Sequence, residues 1–485
     1  MIQLGYLSNT IVNSRYTLPP SLAVPDLHDQ VVEQLEDAIA RVVLEHPALR
    51  LDIVNADTKR PAWVAVDVVD LSYHVQWKDA SAVTDYDEFL RDNIEERLDE
   101  PSSALGGRPK WRALILVRMG ESSSLDVIFD YSHAFGDGTS GKIFHETLLR
   151  MLNMPAAQPV LTNRVLRIPS TARSLPPPIE TICKFPLSAR YAVSTAWKEL
   201  KPRGFVSPSA SQANWAPIRA TPYKTRFRMF DVAPALLQNI LTACRSHKTT
   251  VTGLLQALLL VSLASHIPPR DATAFTGDTP LDLRRHMPAH SGLEPRRTIG
   301  VSVSVMAHEF DAHLVRKIRE VVASTGSADD RPTQTLVDII WQCAARVRGE
   351  IRKRLDAGLK NDVVGLMKLV PDWRAQHRTD TTKPRSHSFV VTNLGALDGA
   401  GRKADAEDSR SNSWRIEHSV FAISAEVGGA AFQVAPISVK DKALCVSCSW
   451  QDCIVDVKLA EALVADLERW LRFLGSSSSG SKIIP

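Results

Sequence analysis

Tyr131-Ser-His-Ala-Phe-Gly-Asp-Gly138 stands where a strand pattern hands over to a helix pattern, and its reading decides the fold. His133 ends the strand in a turn, where a scaffold can hold an imidazole rigidly with one nitrogen facing a channel. Asp137 follows four residues on, and Gly138 permits a tight turn or close backbone approach. Imidazole suits general-base work because its pKa lies near neutrality. A second reading stands beside this one: a loop histidine at a helix start, with Asp137 as the N-cap. The pattern His-x-x-x-Asp-Gly fixes three positions, so a chance match in a chain of this length is on the order of a few per cent. The motif alone leaves both readings open, and its surroundings have to choose.

Upstream of it, Trp111–Met119 and Leu125–Tyr131 alternate as two strands joined by Gly120-Glu-Ser-Ser-Ser124, a hairpin pattern. Downstream, a helix is predicted over Gly138–Leu152. Further out, residues 26–46 place Leu27, Val31, Leu35, Ile39 and Val42/Val43 on one helical face, opened by Pro25 or Asp26 and ended by Pro47. Short strands are expected at Leu49–Val54, Ala62–Val69 and His74–Trp77, and a helix over Asp85–Leu98.

Residues 155–222 are punctuated by prolines and hold one helical stretch, Leu187–Leu200. They read as a long crossover whose Trp197, Phe205, Trp215 and Tyr223 are expected to be buried. A second mixed region follows. Its helices are predicted at Val251–Ser265, Asp311–Ser324, Thr333–Leu355 and Val457–Leu474. Its strands are predicted at Ser388–Thr392, Trp414–Ile423, Phe432–Ile437 and Leu444–Trp450. The division expected is 1–154, 155–224 as linker, 225–474, and a flexible tail at 475–485.

Composition narrows the function classes. A chain of 485 residues exceeds the roughly 250–300 at which single cores split, so two domains are expected. A formal charge of +4 is too small for a general nucleic-acid binder. The first twenty residues lack the basic start and apolar core of a secretory signal. Val251–Ile267 is interrupted by polar residues and is too short to span a bilayer, so it reads as a buried helix. Six cysteines in so long a chain do not make a disulfide framework, which points to a reducing, cytoplasmic setting.

Five segments in order carry a family resemblance: Leu44-Glu-His-Pro-Ala-Leu-Arg50, the His133 motif, Thr249-Thr-Val-Thr-Gly-Leu-Leu-Gln-Ala257, Pro280-Leu-Asp-Leu-Arg284 and Val391-Thr-Asn-Leu-Gly395. Together they resemble the acyltransferase superfamily of chloramphenicol acetyltransferase, the BAHD enzymes and peptide-synthetase condensation domains. The linker from Leu175-Pro-Pro-Pro-Ile-Glu180 to Trp197-Lys-Glu-Leu200 resembles the fungal alcohol acetyltransferase branch. Ser132 stands where condensation domains carry a second histidine. Glu426-Val-Gly-Gly429 is only a glycine turn where BAHD enzymes have Asp-Phe-Gly-Trp-Gly. Both departures point to the alcohol acetyltransferase branch.

The resemblance implies an α/β mixed fold of two similar chloramphenicol-acetyltransferase-like domains, with mixed sheets and an active-site tunnel at their interface. It implies an acyl-CoA-dependent acyltransferase, with acetyl-CoA the expected co-substrate and no permanently bound cofactor. The acceptor would be a small-molecule alcohol, or an amine, in specialised metabolism. His133 would be the general base, with Asp137 and Gly138 completing the motif. Asp137 would pair with an arginine of the second domain, Arg284, with its neighbour Arg285 left open. The oxyanion would be met by the Gly138 N–H, Thr392 or Asn393. The alternatives are a carrier-protein-bound acyl donor, or a member of the fold repurposed for another task.

Other residues weigh less. Arg296 and Arg297 are candidate CoA phosphate contacts by charge alone, against the plainer reading of solvated surface. His145 lies on the predicted helix with no fourth ligand near, so no metal is expected. Cys445 and Cys448 fall on opposite faces of a strand, which suits core packing better than redox chemistry. Ser132 and His133 point opposite ways, so they make no nucleophile–base couple.

Overall fold

The computed structural model describes residues 1–23, 27–101, 105–119, 123–154, 158–170, 177–200, 209–324, 332–400 and 412–477. Pro25, Asp26, residues 120–122 of the hairpin, Leu175, Pro176, Phe205 and the tail after 477 lie outside them. Two mixed sheets organise the chain. The first holds β1 (Asn9–Thr17), β5 (Val75–Asp79), β6 (Trp111–Arg118), β7 (Ser124–Ser132) and β14 (Arg415–Ile423), in the order β14-β1-β7-β6-β5. All its pairings are antiparallel except β5 with β6. Two small pairs flank it: β2 (Leu51–Val54) with β3 (Ala62–Ala65), and β4 (Val68–Asp70) with β8 (Val165–Arg167). The single strand expected over 62–69 is therefore two.

The second sheet runs β11 (Val303–Phe310), β10 (Phe275–Asp282), β12 (Phe389–Val391), β15 (Phe432–Val439), β16 (Leu444–Gln451), β9 (Thr225–Val232), with β13 (Ala396–Leu397) beside β15. Here β12 lies parallel to both β10 and β15, and the other main-path pairs are antiparallel. The fold is thus α/β with two mixed sheets, as expected. Although β14 lies within 225–474, it hydrogen-bonds to β1 of the first sheet along Thr10–Thr17.

The helices fill in around these sheets. On the first lie α1 (His28–Glu45), α2 (Tyr86–Asp99) and α3 (Gly138–Leu152). The apolar stripe of α1, with Val31, Leu35, Ile39, Val42 and Val43 all buried, packs with α3 over the odd-numbered face of β7 (Leu125, Val127, Phe129, Tyr131). The other face of β7 meets α2, and its two acids are paired in the interior. Asp126 accepts from Asn13 (2.7 Å), Arg15 (2.8 Å) and Tyr86 (2.6 Å). Asp130 accepts from Arg97 (2.7 Å) and Arg112 (2.9 Å).

The crossover contributes α4 (Ile179–Ile182) and α5 (Ala189–Leu200). Over the second sheet lie α6 (Pro234–Ser246), α7 (Val251–His266), α8 (Ala312–Ser324) and α9 (Gln334–Asp356), then short α10 (Val364–Met367) and α11 (Trp373–Asp380), and finally α12 (Val457–Ser477). Nearly all of α7 is buried in the second core. Among the described residues no single helix is long and apolar enough to cross a membrane; α6 and α7 reach that length only together, bent by 91°. One expectation fails outright: Trp197 is exposed, because it shares an outward stripe of α5 with Val193 four residues before it. Trp215 and Tyr223 are half-buried. Strands β1, β9, β10 and β11 and helix α6 were not foreseen.

Candidate active site

The end of β7 and the start of α3 fix the His133 loop from both sides. Phe135 N–H closes a turn on Ser132 O (3.0 Å). Asp137 caps α3, accepting from Ser140 N–H and Ser140 Oγ, each at 3.0 Å. Tyr131, fully buried, donates its hydroxyl proton to Asp137 O (2.7 Å) and accepts from Gly141 N–H (3.2 Å), tying strand to helix across the loop. Gly138 is required by proximity: a Cβ there would lie 2.6 Å from Phe421 and 2.8 Å from Leu394.

The two readings of Asp137 are both physically present, because its carboxylate also meets Arg284. Arg284 Nη1 and Nη2 donate to Asp137 Oδ2 and Oδ1 at 2.8 and 2.9 Å, a two-pronged pair only a few per cent exposed. Burial works against the guanidinium charge, and Asp137 more than offsets it, raising the Arg284 pKa. Ser302 N–H donates to Asp137 as well (2.8 Å), while Arg284 reaches Thr298 O (2.9 Å) and Gly300 O (2.7 Å). Thr139 adds a hydrogen bond to Asp282 (3.2 Å). Residues 282–302, leaving the second sheet, therefore clasp the first turn of α3. Arg285 makes no hydrogen bond among the described residues.

His133 itself is half-buried and takes no hydrogen bond among the described residues. Ser132, by contrast, is buried in the β7–β1 register opposite Asn9. Within electrostatic reach of His133 is a group that the sequence reading gave no role. Burial raises the Glu426 carboxyl above the ordinary range while His133, within electrostatic reach, pulls it back; Asp278, Arg385 and His387 also act on it. Buried Arg385 holds this turn in place, donating to Gly429 O and to Ala216 O (2.8 Å). Glu426 was visible only as the start of a glycine turn. Asp278 and His387 carried no signal, because their neighbourhood joins residues over a hundred positions apart.

The other candidates divide. Thr392 and Leu394 continue the ladder beside β15, with N–H groups on Val434 O (2.9 Å) and Pro436 O (3.1 Å), and Leu394 reaches Gly138. Asn393 is turned the other way, its amide donating to Thr252 (3.2 Å) and its carbonyl accepting from Gly395 N–H (2.7 Å). Beyond α3 a groove of about 2570 Å³ is lined by Lys142, Glu146, Arg285, Arg296, Arg297 and Lys440, among others, and reaches Thr139 but not His133. Arg297 is engaged there by Glu45 (2.5 Å), whereas Arg296 has no hydrogen-bond partner among the described residues. His145 uses both ring nitrogens: Nε2 donates to Val12 O (2.8 Å), so Nδ1 accepts from the Tyr16 hydroxyl (2.9 Å). Cys445 and Cys448 fall in different apolar cores.

Comparison with known proteins adds a family. The family model described as alcohol acetyltransferase matches residues 81–469. A curated relative, the probable alcohol acetyltransferase FCK4 of Fusarium pseudograminearum, is 29% identical over 455 residues, covering 92% of this chain and 87% of its own. Among solved structures, the TRI3 trichothecene 15-O-acetyltransferase of Fusarium sporotrichioides superposes with a TM-score of 0.66 at 14% identity, covering 97% of this chain and 91% of its own. The first condensation domain of the calcium-dependent antibiotic synthetase gives 0.56 at 12% identity, covering 99% and 94%. These two likenesses are of fold.

Proposed function

The chain belongs to the alcohol acetyltransferase family, and from that premise we propose that this acyltransferase moves an acetyl group from CoA directly onto the hydroxyl of a small-molecule acceptor. The reading is supported by one arrangement: a histidine with no hydrogen-bond partner among the described residues, on a loop immobilised by the buried Asp137–Arg284 clasp. In the proposed reaction the acceptor oxygen bonds to the thioester carbonyl carbon while its proton passes to His133. The tetrahedral intermediate collapses, the C–S bond breaks, and the CoA thiolate leaves with the proton from His133. The oxyanion between these steps needs a donor preorganised for it. Gly138 N–H, at the positive end of α3, and the Thr392 hydroxyl are available; the Asn393 amide is already committed to Thr252.

The donor's phosphates would lie in the groove beyond α3, where Arg296 is free to meet them and Arg297 would first have to leave Glu45. The acyl end would then have to pass Thr139 to reach His133. A donor arm on a carrier protein is the second reading, favoured only by the condensation-domain likeness of the fold.

The test is acceptor-dependent release of free thiol from acetyl-CoA by wild type and His133→Ala, with a panel of alcohols and amines. General-base assistance contributes about 10²–10⁴-fold, so the variant should lose at least that factor. A variant as active as wild type removes His133 from the mechanism. Acetyl-CoA that neither binds nor turns over, while an acyl-carrier thioester does, installs the carrier reading instead.

A further inference from the structure

Four strand positions below the clasp, the second sheet presents ionisable groups that the reaction proposed above does not use. On β10, Asp278 and Asp282 share a face, and Asp282 marks that face by touching Thr139 of α3. Asp278 lies roughly 13 Å further along it, at about 3.3 Å per residue. Its side chain is only 10% exposed and faces His387, with Oδ1 and Nδ1 2.9 Å apart. That pair is not aligned as a hydrogen bond, so Asp278 Oδ1 and His387 Nδ1 are both left without one.

The third group arrives from the first sheet. Ser424 N–H donates to Asn9 O (3.0 Å), and Asn9 is in register with Ser132. The turn carrying Glu426 thus leaves the first sheet two strands from His133, roughly 10 Å at the usual strand spacing. It then runs into β15 beside His387, where Ala431 N–H meets His387 O (3.3 Å). Among the described residues no hydrogen bond reaches the Glu426 carboxylate. Glu426 is within electrostatic reach of His133 on one side and of Asp278 and His387 on the other. Burial lowers the His387 pKa, but the Asp278 carboxylate overrides it and raises it.

We propose that Asp278, His387 and Glu426 form an acceptor subsite beside His133 that binds a second hydroxyl, making the preferred acceptor a diol or polyol. Two carboxylates can only accept hydrogen bonds when ionised, so the complementary ligand brings a donor. An alkyl group packed here in place of a second hydroxyl would desolvate those oxygens without supplying a donor, which costs more than forming the bond gains. The inference rests on the acyl-transfer reading for its location, and its test is separable from that reading.

The probes are cyclohexanol and the cyclohexane-1,2-, 1,3- and 1,4-diols, offered to the full chain with acetyl-CoA. The same four compounds are measured for binding without acetyl-CoA by saturation-transfer NMR. One hydrogen bond to a charged group corresponds to roughly a tenfold to hundredfold preference, so the best diol should exceed cyclohexanol by that factor in kcat/KM and in affinity. Asp278→Ala should bring both ratios towards unity, and Asp278→Asn, which keeps the shape, should lower them at least several-fold. Diol-selective binding that is lost in the variants, without any acetyl transfer, sustains the subsite and removes the reaction. Transfer with no diol preference, or with a preference that survives Asp278→Ala, removes the subsite and leaves the reaction standing. If neither variant folds, the wild-type ratios decide alone, and equal binding of mono-ol and diols overturns the proposal.

Discussion

Replacing Asp137 with alanine is expected to be one of the most destabilising single changes in the molecule. Arg284 is 3% exposed and gives two of its nitrogens to Asp137, at 2.8 and 2.9 Å. With the carboxylate gone, a buried guanidinium keeps the carbonyls of Thr298 and Gly300, the Ser140 hydroxyl and the partly exposed Asp282, of which only the last carries a charge. Removing one partner of a buried pair costs about 3–5 kcal/mol, because the remaining charge is left uncompensated. The lost cap on Ser140 N–H and the orphaned Ser302 N–H fall within the same structural change, so about 4–5 kcal/mol is the expected total. Urea titration followed by far-UV circular dichroism reads it directly. Arg284→Met removes the charge as well, so Asp137→Ala combined with Arg284→Met should cost at least about 2 kcal/mol less than the sum of the singles. If Asp137→Ala lies within about 1 kcal/mol of wild type, or the two singles simply add, the clasp does not hold the loop. Asp137→Asn keeps the cap and should lower activity with little change in acceptor preference.

Two further outcomes follow from packing and protonation. A Cβ on Gly141 would lie 2.9 Å from the Tyr131 hydroxyl and closer still to Val12, so Gly141→Ala should cost about 1–3 kcal/mol; Gly349, in α9 with nothing within 4 Å of such a Cβ, should tolerate alanine with a gain of up to about 1 kcal/mol, and equal urea midpoints for the two variants would count against the packing described. Burial lowers His46, His74 and His145 from 6.5 to about 4, so between those values the unfolded chain binds more protons than the folded one and stability must fall with pH; at ~3 kcal/mol each the loss rivals the whole stability of a typical protein, and unchanged urea midpoints from pH 7 to pH 4.5 would refute it.

The parts of this fold that could be read from sequence are those whose instructions are local. The hairpin before His133, the α3 boundary at Gly138 and the stripe of α1 each combine a period with a cap or a turn residue inside a short window. Strand β1 gives no such signal. Asn9, Asn13 and Ser14 are buried because each finds a distant partner: the carbonyls of Arg97 and Glu100, then Asp126, then Ser419. Polar residues at covered positions erase the alternation that marks a strand. The site divides the same way. His133, Asp137 and Gly138 sit within six residues, and the arginine that meets Asp137 came with a short motif of its own. Asp278 and His387 acquire meaning only from each other, and Trp197 was misjudged because an apolar stripe does not say which way it faces.

That β14 closes the first sheet has a consequence for how the protein is made. Asn9–Thr17 leaves the ribosome some four hundred residues before Arg415–Ile423, the strand that lines its outer side. For that whole interval β1 can pair with β7 yet keeps a bare row of N–H and C=O groups, the kind of edge that recruits other chains. A fragment ending near residue 154 therefore carries a permanent open edge and should precipitate or pair with copies of itself. The complete chain must shelter that edge, or outrun aggregation, until its last strands arrive.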